Sequence, residues 1–184
     1  MARPLSEMTL EELWQLFPIQ LQEHRPEWAD WYAEERGRLA AVLGARAARI
    51  DHIGSTYVEG LLAKPIVDIL VQVAPDAEMA AVKADLLADG WLLMAENSAY
   101  GELDLNKGYT PDGFAERVFH LHVRREGDWD ELRFRDYLTA HPEEAAAYAA
   151  LKRELLGKYE HNRDAYTQAK TDFIKSCVAK ARGV

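Results

Sequence analysis

"RIDHIGSTYVEGLLAKPIVDILVQV", residues 49–73, holds two apolar runs, "RIDHI" (49–53, preceded by Ala48) and "PIVDILVQV" (65–73), around a segment containing Gly54, Ser55, Thr56 and Lys64. Short β-branched runs bounded by turn residues read as buried strands. On the second strand, alternation puts Ile66, Asp68, Leu70 and Gln72 on one face and Val67, Ile69, Val71 and Val73 on the other. Asp68 therefore stands on the less apolar face, near the strand's start. An isolated aspartate there can simply cap a neighbouring amide. The Gly-Ser-Thr turn before it offers a second use. Glycine lets a backbone approach a ligand closely, and the Ser55 and Thr56 hydroxyls with nearby amides can form a nest for phosphate oxygens. An aspartate beside that nest can hold a divalent cation bridging the same phosphates. Lys64, extended by the proline that follows it, adds a point charge at the strand's mouth.

Outward from this stretch, Thr9 and Glu12 form a capping-box pattern that opens a short helix ended by Pro18. Residues 26–43 have Trp28, Trp31 or Tyr32, Glu35 and Leu39 at helical spacing, with Gly44 as the stop. "DAEMAAVKADLLADG" (76–90) reads as a helix. "WLLMAEN" (91–97), "ELDLNKGY" (102–109) and "RVFHLHVR" (117–124) read as strands separated by turn residues. The last third is helical over 130–140, 142–159 and 163–182. This order predicts an α+β fold: a mixed β-sheet with flanking helices and a C-terminal helical bundle. The chain reads as a single domain, 1–184, with an N-terminal extension over 1–24 and helices from 129 to 184 packed on the sheet.

The 184 residues carry a formal charge of −9 and a single cysteine, Cys177. The charge argues against holding nucleic acid through counterion release, since such a surface repels phosphates at long range. One cysteine excludes an internal disulfide and a thiolate zinc cluster. The N-terminal stretch has acids where a signal peptide needs an apolar core, and no apolar run reaches the ~20 residues of a membrane helix. A cytoplasmic protein with no membrane association is expected.

Further site candidates follow from spacing. In "VFHLHVR" (118–124), His120, His122 and Arg124 share one strand face, so two imidazoles project together. They can ligate one metal, flank one phosphate, or each bond a nearby carboxylate. With His52 and Asp68 they form a candidate metal set, for which Mg²⁺ or Mn²⁺ is expected over Zn²⁺. Arg135 can fork onto a phosphate or onto a structural carboxylate such as Asp136. Tyr148 and Lys152, and likewise Tyr166 and Lys170, are four apart and can line a cleft, or can be packed tyrosines beside snorkelling lysines.

Gly54-Ser55, twelve residues, then Asp68-Ile69-Leu70 resembles the fingerprint of the nucleotidyltransferase superfamily. In that superfamily paired carboxylates hold magnesium ions that position a nucleoside triphosphate, and a later strand adds a third acid. Here the second carboxylate position is Leu70. "LWQLFPI" (13–19), residues 49–70, "KGYTPDGFAERVFHLHVR" (107–124), "LRFRDYLTAHPEEAAAYAALKREL" (132–155) and "RDAYTQAKTDFI" (163–174) together resemble the GrpB family, also found fused to some bacterial dephospho-CoA kinases. The resemblance implies a nucleotidyltransferase-like fold. The expected function is metal-dependent transfer of a nucleoside monophosphate to a small-molecule acceptor, with Asp68, His120 and His122 as catalytic groups. Gly54, Ser55, Thr56, Lys64, Arg135, Tyr148, Lys152 and Lys170 would bind the phosphates and nucleotide. The alternative is a non-catalytic module for a nucleotide or phosphometabolite. An enzyme should gather a further acid, Glu102 or Asp104, within metal reach of Asp68.

Overall fold

The computed structural model describes residues 3–184. Strands β1 (Ala47–Ile53), β2 (Val67–Val73), β3 (Leu92–Asn97), β4 (Glu102–Thr110) and β5 (Gly113–Arg125) form one sheet in the order β1-β2-β5-β4-β3. β2 and β5 run parallel at its centre, and the other neighbours are antiparallel. Helices α1 (Leu10–Leu16), α2 (Glu27–Leu43), α3 (Met79–Ala88), α4 (Asp130–Ala140), α5 (Pro142–Tyr159), α6 (Arg163–Ala169) and α7 (Thr171–Arg182) surround it. The α+β class and the mixed sheet are as the sequence predicts.

Local chemistry explains several boundaries. Thr9 and Glu12 satisfy each other's orphan amides, at 3.2 and 2.7 Å, and so start α1. Pro142 starts α5 at a position where no amide hydrogen is needed. The expected helix over 163–182 is instead two, broken at Lys170, and β5 begins four residues earlier than its apolar pattern, directly after a tight turn.

On one face of the central strands, Val67, Ile69, Val71 and Val73 join Phe119, Leu121 and Val123 in a core against α2 and α3, with Trp28, Leu39, Leu43, Val82, Leu86 and Trp91. Burying a side chain of this size stabilises the fold by ~1.5–3 kcal/mol. Lys107 enters this layer with its charge satisfied by Glu35 at 2.7 Å and Asp89 at 2.9 Å.

The opposite face lies beneath α4–α7. These helices rest on the loop after β1, where Val58, Leu61 and Leu62 meet Phe134, Leu138, Tyr148, Ala149, Cys177 and Val178. The N-terminal segment is packed in as well: Ile19 is buried with Leu155 and Tyr166, and Gln22 exchanges two backbone hydrogen bonds with Ala63. Because the helices stand on the loop, a cleft remains between them and the polar row of β2 and β5. Among the described residues no helix is long and apolar enough to cross a membrane.

Candidate functional site

The parallel register sets Asp68 beside His120 and Leu70 beside His122, so the alternation read from each strand brings the acid and both imidazoles to one face. A continuous polar row results. Arg163 donates to the Tyr109 hydroxyl at 3.0 Å, and that hydroxyl meets His120 Nε2 at 2.8 Å. His120 Nδ1 faces Asp68 Oδ1 at 3.4 Å, and His122 Nε2 stands 3.8 Å from the same oxygen. His122 Nδ1 donates to Asp104 Oδ1 at 2.9 Å, which also accepts from Arg124 at 2.7 Å.

Protonation follows from these contacts. With Arg163 donating to its oxygen, the Tyr109 proton is directed at His120 Nε2, which assigns the proton of the neutral ring to Nδ1. Burial pushes the His120 pKa down, against the pull of Asp68. Burial also works against His122, but its hydrogen bond to Asp104 and the negative charge of Asp68 nearby raise it to about 9, so it is an imidazolium at neutral pH. Asp68 is opposed by burial too, yet the two histidines hold its carboxyl well below the usual carboxylate range.

Above this row opens a cleft of about 900 Å³, lined by Ser55, Lys64, Asp68, Lys152, Arg163 and Lys170 among others, with Ile53, Phe134 and Ile174 as apolar wall. Lys64 and Lys170 both lie over the Tyr166 ring, at 5.7 and 4.6 Å from its centroid. Lys152 is 3% exposed; its ammonium donates to Ser55 Oγ at 3.0 Å and to the Leu62 carbonyl. Burial, then mutual repulsion, depresses the lysines: Lys64 well below its ordinary value, Lys152 to about 7. Burial lowers Lys170 to about 8.

One expectation needs correction, and three other candidates find structural partners. His52 is not part of this cluster. In the antiparallel register Ile53 opposes Asp68 while His52 opposes Ile69, which turns the imidazole to the α2 side, where it stacks on Tyr32 and bonds Thr56 Oγ1 at 2.8 Å. Thr56 accordingly spends its hydroxyl on His52. Arg135 lies at the edge of β1, bound to Asp136 and the His52 carbonyl, which is the structural alternative of the two read for it. Gly54 lines the cleft and also makes room for Asp68: its φ is 72°, and a Cβ there would stand 2.6 Å from Asp68 Oδ2.

Asp104 and Tyr166, both read from the sequence as candidates, belong to the site, and Tyr109 and Arg163 join it without having been singled out. Strict alternation would send Tyr109 to the same side as Lys107. The bulge at Gly108, where a Cβ would meet the Arg117 carbonyl at 2.3 Å, turns it toward His120 instead. Arg163 lies within a quoted motif, but only the helix start fixed by Asn162 aims it at Tyr109.

The donor set does not form a resident metal cage. His122 carries protons on both nitrogens, Asp104 is committed to His122 and Arg124, and Leu70 is fully buried where a second carboxylate would stand. Among the described residues no three His, Cys, Asp or Glu side chains are placed to hold a metal ion.

Residues 18–180 match the family model described as "GrpB protein". The chain is 31% identical over 179 residues to the UPF0157 protein YqkA of Bacillus subtilis, covering 94% of this chain but 51% of that protein, so it spans about half that relative's length. It is 28% identical to a dephospho-CoA kinase of Mycolicibacterium paratuberculosis, over 89% of this chain and 46% of the other. A crystal structure of a conserved protein GrpB from Enterococcus faecalis superposes with a TM-score of 0.75 at 31% identity, covering 88% of this chain and 96% of that one.

Proposed function

The chain belongs to the GrpB family, and from that premise we propose that its cleft binds a nucleoside triphosphate or another phosphorylated small molecule and passes a nucleoside monophosphate to a small-molecule acceptor. One observation carries this reading. Lys64, Lys152, Lys170 and Arg163 converge in a half-enclosed cleft around Asp68, in a chain whose net charge is −9. Burial, then repulsion between neighbouring charges, makes the three lysines shed protons, and a polyphosphate offsets both effects at once. The volume suits a nucleotide-sized ligand. Ile53, Phe134 and Ile174 offer an apolar wall for a base.

Catalysis here would rest on positioning and electrostatics: Lys64, Lys170 and Arg163 on the phosphate oxygens, His122 held by Asp104 as the proton-carrying group. A Mg²⁺ or Mn²⁺ ion belongs to the substrate in this scheme. It would arrive with the triphosphate and use Asp68 as its single protein carboxylate, as such ions do when phosphates supply the remaining ligands. A second reading, the same ligand held without turnover, is favoured by Leu70, which removes the usual second acid.

Calorimetric titration with ATP, CTP, GTP, UTP and inorganic tripolyphosphate, with and without Mg²⁺ or Mn²⁺, tests the binding claim. We expect saturable binding that Lys170→Met weakens at least tenfold. Failure of every one of these anions to bind would overturn the reading. Consumption of the bound triphosphate, followed by chromatography against a panel of hydroxyl and amine acceptors, separates transferase from binding module.

A further inference from the structure

We propose that Ser55 is a nucleophile and Lys152 its general base, so that transfer in this cleft proceeds through a covalent nucleotidyl-serine. The inference rests on the phosphoryl-binding reading above and adds a chemical step to it. The geometry is that of an activated nucleophile: hydroxyl and base within hydrogen-bond reach, with the base oriented by a third group. Lys152 Nζ stands 3.0 Å from Ser55 Oγ and is anchored on its other side by the Leu62 carbonyl.

Lys152 differs from the other cations of the cleft. Its side chain is 3% exposed and packed beneath Tyr148, with the ring centroid 4.6 Å from Nζ, so it is spent on the serine and a backbone oxygen. Lys64, Lys170 and Arg163 are left to meet a ligand's phosphate oxygens. Burial, followed by the charge of Lys170, lowers the Lys152 pKa to about 7, which puts a free amine within reach near neutral pH. The serine is held in a turn entered at positive φ through Gly54, beside Asp68.

The step balances without any further reagent. Ser55 Oγ bonds to the α-phosphorus, its proton passes to the Lys152 amine, and the Pα–O bond to pyrophosphate breaks with the electron pair leaving on pyrophosphate. In the second half the acceptor hydroxyl attacks the same phosphorus. Ser55 then departs and recovers a proton from the Lys152 ammonium, while the acceptor's proton goes to solvent.

The test is acid-quenched incubation of the full chain with each α-³²P-labelled nucleoside triphosphate and Mg²⁺, with intact-mass and peptide mapping of the label. Triphosphate binding is measured in parallel by calorimetry. We expect a nucleoside monophosphate adduct on Ser55, absent in Ser55→Ala. Lys152→Arg keeps the charge but cannot accept the proton, so it should bind triphosphate yet label at least ~100-fold more slowly. The native labelling rate should rise with pH through about 7. Thermal melting of each variant verifies folding, and Ser55→Ala alone suffices where Lys152→Arg does not fold. Triphosphate that binds with no adduct, an adduct on another residue, or full labelling by Lys152→Arg overturns the inference and leaves the binding reading standing. Absence of both binding and adduct overturns the two together.

Discussion

On one face of β2 and β5, Val67, Ile69, Val71, Phe119, Leu121 and Val123 meet α2 and α3 in a dry layer; on the other, charged Asp68, His122 and Arg124 and the neutral His120 form a polar row under α4–α7. The two faces share the same backbone and differ only in which alternate residue points where. The dry face gains stability from each contact and tolerates any apolar residue of suitable volume. The charged face keeps buried ionic groups that stay favourable only while each retains its partner. One face holds the sheet together, and the other gathers ionic groups under the cleft at a cost in stability.

That contrast can be broken by substitution. Leu121→Ala on the dry face should lower stability by ~2–5 kcal/mol, read from the urea denaturation midpoint, because the site cannot collapse around the missing atoms. Lys170→Met on the charged face should do the opposite: triphosphate affinity falls ~10–100-fold, as for a lost charge-assisted hydrogen bond, while the midpoint holds or rises. A large drop in that midpoint would mean the lysine is structural and the division between faces false.

Titration sharpens the comparison further. Unfolded, Lys152 and Lys170 hold their protons up to about 10.5; folded, they release them from about 7 and 8. The unfolded chain thus binds more protons in that window, so stability without ligand should rise with pH through it. Tripolyphosphate favours the protonated lysines, so its affinity should fall from pH 6.5 to 9, and calorimetry in buffers of different ionisation enthalpy should register proton uptake on binding. The smallest effect is expected for Arg135→Lys. Its partners lie at the edge of β1, so triphosphate affinity should stay within about twofold while stability drops by ~1 kcal/mol. A tenfold loss of affinity would extend the site to that edge.

The candidate site was legible in part. Alternation within "PIVDILVQV" and "VFHLHVR" gave the correct face for Asp68, His120 and His122, and four-residue spacing marked Lys152 and Lys170, which the structure places in the cleft. His52 points away from the cluster, Arg135 takes the structural one of its two readings, and Tyr109 and Arg163 passed unnoticed. These four share a cause: their directions depend on a strand register, a bulge or a helix start.

The α+β class, most element boundaries and the apolar side of each strand follow from periodicity along short windows, because backbone geometry alone fixes which neighbours share a face. The pairing of Asp68 with His120, the rotation of His52 to the α2 side and the gathering of lysines from a loop, α5 and the junction of α6 with α7 required the folded chain. A one-residue slip in register reverses a strand's two faces, and that register is set by contacts between residues far apart in the sequence, where local spacing carries no information.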